Sequence, residues 1–141
     1  MIVADVNTVA YLLIRGDKTA LAQQMLRKDP DWFMPMLWQH EFLNMLATFV
    51  RHGGGKIGDA EKIWQTAVRL FRPREREVNA FDALHLACQH NISAYDAQYI
   101  VLAQALGVIY VTEDHKLASK FPTLTQSMQK FLDPPDASSP A

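Results

Sequence analysis

The stretch VIYVTED, residues 108–114, decides how the rest of the chain is read. Val108, Ile109, Tyr110 and Val111 form a β-branched and aromatic run, and the run ends in Thr112 and two acids. It follows a helix-like segment, SAYDAQYIVLAQALG (93–107), which Gly107 closes. A buried strand therefore follows a helix directly. The first residues, MIVADV, have the same character: a short apolar run that reaches an acid, Asp5, as the strand ends. Strands that alternate with helices point to a parallel sheet covered on both faces. Ligands of such sheets bind beyond the carboxyl ends of the strands. Asp5 and Asp114 should then lie on one rim.

The intervening segments fit this frame. NTVAYLLI has helical spacing, with Val9, Leu12 and Leu13 on one face. DKTALAQQMLRKD predicts a helix with Ala20, Leu21, Met25 and Leu26 inward, ended by Pro30. WFMPML predicts a second strand, although Pro35 is unusual inside a sheet. WQHEFLNMLATFVRH predicts a helix whose apolar face is Phe42, Met45, Leu46, Phe49 and Val50, with Gly53–Gly55 beyond it. DAEKIWQTAVRLF is a further helix, and RPREREV is either a short strand near Val78 or an exposed connection. AFDALHLACQH and HKLASKF complete the helices. The order is β-α-α-β-α-α-(β)-α-α-β-α, an α/β chain. One domain is expected over 1–132, with 133–141, DPPDASSPA, as a flexible tail.

Composition narrows the class. The chain has 141 residues, 49% of them hydrophobic, enough for one domain with a real core. The formal net charge of -1 announces no nucleic-acid partner, so any such binding would need local basic patches. One cysteine, Cys88, permits no internal disulfide. The N-terminus lacks a basic segment and a cleavage site, and no apolar run reaches the roughly 18 residues of a membrane span. A soluble, cytoplasmic protein without a membrane partner is expected.

Four carboxylates are candidates for chemistry: Asp5, Glu41, Asp96 and Asp114. Each also has an ordinary structural reading. Asp5 and Asp114 can cap the helices that follow them, and Ser93 and Asp96 have the spacing of a capping box. Glu41 can belong to a solvated helix face. Taken together they say more. Carboxylates gathered at one site repel each other and raise one another's pKa, and a cation relieves the repulsion. Oxygen-only ligands suit Mg²⁺ or Mn²⁺. Asn7, Thr8, Asn44, Ser93 and Thr112 fit as supporting polar groups. The five histidines show no zinc-type spacing. The other Asp-Ala pair, at Asp82, differs: Asp82, His85 and Gln89 form a polar stripe while Phe81, Leu84 and Cys88 can point inward, and no strand end lies near. Asp82 reads as solvated surface.

The segments VADVNTVAYLL, WQHEFLNMLATFV, SAYDAQYIVLAQ and YVTEDHKLASKFP resemble the successive motifs of PIN-domain proteins, above all the VapC-type toxins of bacterial toxin–antitoxin pairs. The likeness runs from Met1 to about Leu132, and eighteen residues separate Asp96 from Asp114. It implies a single three-layer α/β/α domain with a central parallel sheet. It also implies a Mg²⁺- or Mn²⁺-dependent endoribonuclease that hydrolyses RNA phosphodiesters with a metal-activated water. Carried over by position, the acidic quartet is Asp5, Glu41, Asp96 and Asp114, with Asn7 or Thr8, Asn44 and Thr112 as polar helpers. A homodimer and a small antitoxin that obstructs the site are implied as partners, and Tyr11, Leu12, Ile14, Met25, Trp38 and Trp64 are apolar candidates for those contacts. An acidic site needs cations around it to admit RNA, and Lys116, two residues after Asp114, is the best-placed candidate for a phosphate contact.

Two other readings compete. DVNTV partly resembles the Asp-x-Asp-x-Thr/Val pattern of HAD-like phosphatases, but Asn7 stands where the second acid belongs. A non-catalytic RNA- or protein-binding scaffold would not require all four acids.

Overall fold

A computed structural model describes residues 1–133 of the chain. Its elements run in the order β1 (Ile2–Ala4), α1 (Val6–Leu13), α2 (Thr19–Lys28), β2 (Trp32–Pro35), α3 (Trp38–His52), α4 (Ile57–Phe71), β3 (Glu75–Arg76), α5 (Ala80–His90), α6 (Ala94–Leu106), β4 (Tyr110–Val111), α7 (His115–Lys120), β5 (Thr125–Gln126) and α8 (Met128–Leu132). The expected flexible tail, apart from Asp133, lies outside the described residues.

The sheet is parallel throughout, in the order β3-β2-β1-β4-β5, with helices on its faces in an α/β/α arrangement. The chain leaves β1 in one direction through β2 and β3, then crosses to the other side of β1 for β4 and β5. The junction of β1 with β4 is therefore a topological switch point, where the loops beyond the strand ends diverge and leave a crevice. Register fixes that junction: Val3 pairs with Tyr110 and Ala4 with Val111, and the Asp5 amide donates to the Val111 carbonyl at 3.2 Å. All of β1 and β2 is buried, as central parallel strands require. Pro35 is tolerated because it ends β2, beyond the residues that pair with β1.

The core is aromatic on one side. Trp32 stacks on Phe71 at 5.5 Å, and Trp38 packs against Phe42, Trp64 and Phe71. Tyr99 of α6 stacks on Tyr110 of β4 at 5.5 Å with 16° between the rings.

Several expectations need correction. The strand 108–114 pairs only through Tyr110 and Val111, so Thr112 to Asp114 form a loop beyond the strand end. The third strand is Glu75–Arg76 after a 3-10 turn at Arg72–Arg74, ahead of Val78. A fifth strand and an eighth helix follow Phe121; at two and five residues they are too short to show periodicity. Ala20 is exposed and Ala22 takes the inward position on α2. Helix α5 is turned over: Phe81 and Leu84 are 76% and 56% exposed and Cys88 is exposed. It packs along α6 through Ala83, Leu86 and Ala87 instead. These positions share the i, i+3, i+4 spacing, and two of them are small enough to let the helix backbones approach closely. Met25 and Trp38 are fully buried and so belong to the core, not to a docking surface; Tyr11, Leu12, Ile14 and Trp64 are partly buried against it.

Candidate active site

Each of the four acids is delivered by a different element. Asp5 follows β1 and is the N-cap of α1, where its Oδ1 accepts from the Asn7 backbone amide at 3.1 Å and from Asn7 Nδ2 at 3.2 Å. Its Oδ2 accepts from the Thr112 hydroxyl at 2.7 Å. Thr112 in turn accepts from the Asp114 amide at 3.1 Å, which ties the ends of β1 and β4 together. Thr8 donates to the Asp5 carbonyl, from a fully buried position. Asp114 caps α7 by accepting from the Leu117 amide at 2.9 Å. Ser93 caps α6 by accepting from the Asp96 amide at 3.0 Å. The ordinary capping roles of Asp5, Ser93 and Asp114 are thus real, and they fix where the carboxylates stand.

Glu41 lies in the first turn of α3, and Tyr99 donates to its Oε1 at 2.7 Å. Asn44, one turn further along α3, is exposed and takes no part in these hydrogen bonds. Glu113, beside Asp114, accepts from the Met128 amide at 3.1 Å and so serves α8.

Three of the four carboxylates are raised, chiefly by burial and then by acidic neighbours. Asp5 is pushed above the usual carboxylate range mainly by burial, with the charge of Asp114 adding to the effect and the Asn7 and Thr112 hydrogen bonds opposing it. Glu41 is raised by burial first and then by Asp5 and Asp96, against the Tyr99 hydrogen bond. Asp96 is raised by burial, then by Asp114 and Asp5, against its hydrogen bond with Ser93. Tyr99 and Tyr110 are held well above the ordinary phenol range, chiefly by burial and also by the nearby carboxylates. Buried acids that neighbouring carboxylates raise further have unmet demand for positive charge.

The surroundings separate the candidate cations. A cleft of about 210 Å³ borders Asp96 and Asp114, with Lys116 and Lys120 on its edge. Lys116 is exposed, whereas Lys120 donates to the carbonyls of His90 and Asn91 and holds the end of α5. Arg74 pairs with Asp31 at 2.9 Å and Arg76 lies over the Phe33 ring at 4.6 Å, so both serve the fold. Asp82 is exposed on α5 beside His85 and Gln89, away from the quartet.

Among the described residues, no three Asp, Glu, His or Cys groups are gathered tightly enough to hold an ion by themselves. Mg²⁺ retains several waters and commonly takes only one or two carboxylates directly, so a set of oxygen-only groups suits a partly hydrated hard cation. Zinc, which is held mainly by His and Cys, is a poorer match to this carboxylate set.

Sequence reasoning missed Tyr99. It carries no motif signal, because a tyrosine in the apolar half of a helix reads as core. The spacing of three residues from Asp96 was the available clue, since it places Tyr99 one turn along the same helix.

Comparison with known proteins identifies the family and the fold. The PIN domain model matches residues 2–120. The chain is 29% identical to Ribonuclease VapC3 from Pyrobaculum aerophilum over 127 residues, which cover 87% of this chain and 96% of that protein. The fold is similar to the crystal structure of PAE2754 from Pyrobaculum aerophilum, with a TM-score of 0.74, 20% identity, and coverage of 93% of this chain and 85% of that one. It is also similar to FitAcB from Neisseria gonorrhoeae, with a TM-score of 0.69, 14% identity, and coverage of 92% and 99%.

Proposed function

The chain belongs to the PIN domain family, and on that premise we propose that it is a divalent-metal-dependent endoribonuclease, the toxin of a toxin–antitoxin pair. The observation that carries the reading is the placement of Asp5 and Asp114 at the ends of β1 and β4, joined through Thr112, with Glu41 and Asp96 near enough to feel their neighbours' charge. The name of the relative Ribonuclease VapC3 supports RNA as the substrate, and the antitoxin partner rests on the resemblance to VapC-type toxins. A homodimer is part of the same proposal and rests on the family likeness alone. The domain is taken to end near Leu132. Among the described residues no helix is long and apolar enough to cross a membrane.

In this reading Asp5, Glu41, Asp96 and Asp114 hold Mg²⁺ or Mn²⁺, partly through water. When bound, the cation supplies Lewis acidity toward the phosphate and lowers the pKa of an attacking water. The chain does the rest. Asn7 and Thr112 keep Asp5 oriented as a carboxylate by donating to both of its oxygens. The caps at Ser93 and Asp114 set the positions of the acids on α6 and α7. Lys116 offers an exposed charge to a flanking phosphate. Asn7 also argues for this chemistry over phosphatase chemistry, because it donates to Asp5 where that pattern has a second acid.

The test is cleavage of defined RNAs with Mg²⁺ or Mn²⁺ by wild type, Asp96→Asn and Asp82→Asn. Asp96→Asn should lose about 10²-fold or more, with an unchanged circular dichroism spectrum, while Asp82→Asn keeps full activity. Equal cleavage by wild type and Asp96→Asn would remove Asp96 from the site. A wild type that hydrolyses small phosphate esters but not RNA would overturn the nuclease reading.

A further inference from the structure

We infer that Tyr99 is the positioning residue that fixes the Glu41 carboxylate within the quartet, a role that rests on reading the quartet as the reaction site. Two of the four carboxylates, Asp5 and Asp114, accept hydrogen bonds from residues close to them in sequence. Asp5 accepts from the neighbouring Asn7 and from Thr112 at the end of β4, and Asp114 accepts from the Leu117 amide, whereas at Asp96 it is the backbone amide that bonds to Ser93. Glu41 has no such local arrangement. It is a longer side chain projecting from the first turn of a helix whose N-cap, Leu37, offers no side-chain hydrogen bond. Its side-chain hydrogen bond among the described residues comes from 58 positions away, where Tyr99 donates to Oε1 at 2.7 Å.

The phenol is suited to the task because it cannot move. Tyr99 is 2% exposed, and its ring lies flat on Tyr110, itself 2% exposed. Tyr110 is held in the sheet between Val3 and Thr125. A rigid line thus runs from the sheet through two stacked rings to one oxygen of Glu41. Tyrosine has few torsions to order, whereas an unrestrained glutamate has three, so the hydrogen bond removes freedom where precise placement is needed. A buried phenol needs some acceptor in any fold. That the acceptor is a member of the quartet, and one with no local hold, is what gives the contact a role in the site.

The test uses Tyr99→Phe, which keeps the ring and its stacking. Binding of Mn²⁺ alone is measured by the electron paramagnetic resonance of the free ion, and RNA cleavage is followed at saturating RNA. Both Mn²⁺ affinity and kcat should fall about 10- to 100-fold, the usual cost of losing a residue that orients a ligand. KM for RNA should stay near wild type, and the circular dichroism spectrum should show the native fold retained. Added to Glu41→Gln, Tyr99→Phe should cause no further fall in either quantity, because the phenol acts only through that carboxylate. Glu41→Asp, too short to reach the phenol, should reproduce the loss with Tyr99 intact. Wild-type Mn²⁺ affinity in Tyr99→Phe or in Glu41→Asp overturns the inference, as does a full additional loss in the double variant. A wild type that binds Mn²⁺ but cleaves no RNA refutes the ribonuclease reading while the ion measurements still decide Tyr99. A wild type that binds no Mn²⁺ overturns both.

Discussion

Replacing Thr112 with valine should destabilise the protein by about 2–4 kcal/mol at neutral pH, and the loss should shrink as the pH falls. Thr112 is 2% exposed and Asp5 7%, so water cannot replace what is removed. The variant loses the 2.7 Å hydrogen bond into the Asp5 carboxylate and the acceptor for the Asp114 amide. A hydrogen bond to a charged group contributes about 1.5–3 kcal/mol, and the second, at an exposed residue that water can reach, about 0.5–1 kcal/mol. The pH dependence follows from linkage. Burial raises the folded-state pKa of Asp5 above its unfolded value of 3.8. Between those values the folded state binds more protons than the unfolded state, so acidification favours folding there. Thr112 lowers the folded pKa by stabilising the charged form; removing it raises that pKa further. The penalty is therefore complete above the folded pKa of the variant. It declines between that pKa and the lower folded-state pKa of the wild type, below which only a neutral hydrogen bond is lost. Urea unfolding in a chelator, read by the fluorescence of the buried Trp32 and Trp38, gives the stability at each pH. The midpoint at neutral pH should drop by about 1–2 M with an unchanged slope. A penalty that is constant with pH, or one below about 0.5 kcal/mol, would refute the picture of Asp5 as a buried carboxylate held charged by Thr112.

Other outcomes follow from the same geometry. Lys116→Ala should weaken RNA binding without altering kcat and reduce the salt dependence of binding by about one charge, read from log K against log salt. Ser93→Ala and Asn79→Ala each remove an N-cap that accepts from the third residue of its helix; each should cost about 1 kcal/mol in chemical denaturation. RNA cleavage should fall with Ser93→Ala only. Saturating Mn²⁺ should raise the stability of wild type by about 2.7 kcal/mol at one hundred times Kd, and this gain should be lost in the Asp5→Asn variant when thermal melts are compared.

The pair of Asp-Ala segments shows which parts of the molecule could be read before the fold was known. Asp82 and Asp96 occupy the same local position: each is the third residue of its helix, and each donates its amide to the capping side chain of Asn79 or Ser93. Local pattern cannot separate them, because capping depends only on four consecutive residues. Strand position can. The apolar runs that end at Asp5 and just before Thr112 identify the rim, and α6 begins near it, so burial and then the charges of Asp114 and Asp5 raise Asp96. What failed to read from the sequence has a common cause. On α5 the larger apolar residues, Phe81 and Leu84, were expected inside, but burial followed the small residues that allow α5 to lie close along α6. Side-chain hydrophobicity ranks the transfer energy of each residue and says nothing of how near two helices approach. Tyr99 is hidden for the converse reason: its ring belongs to the core and only its oxygen belongs to the site. A residue that is apolar by packing and polar by one atom gives a core signal in any periodicity, and its partner, 58 positions away, is set by the sheet order alone.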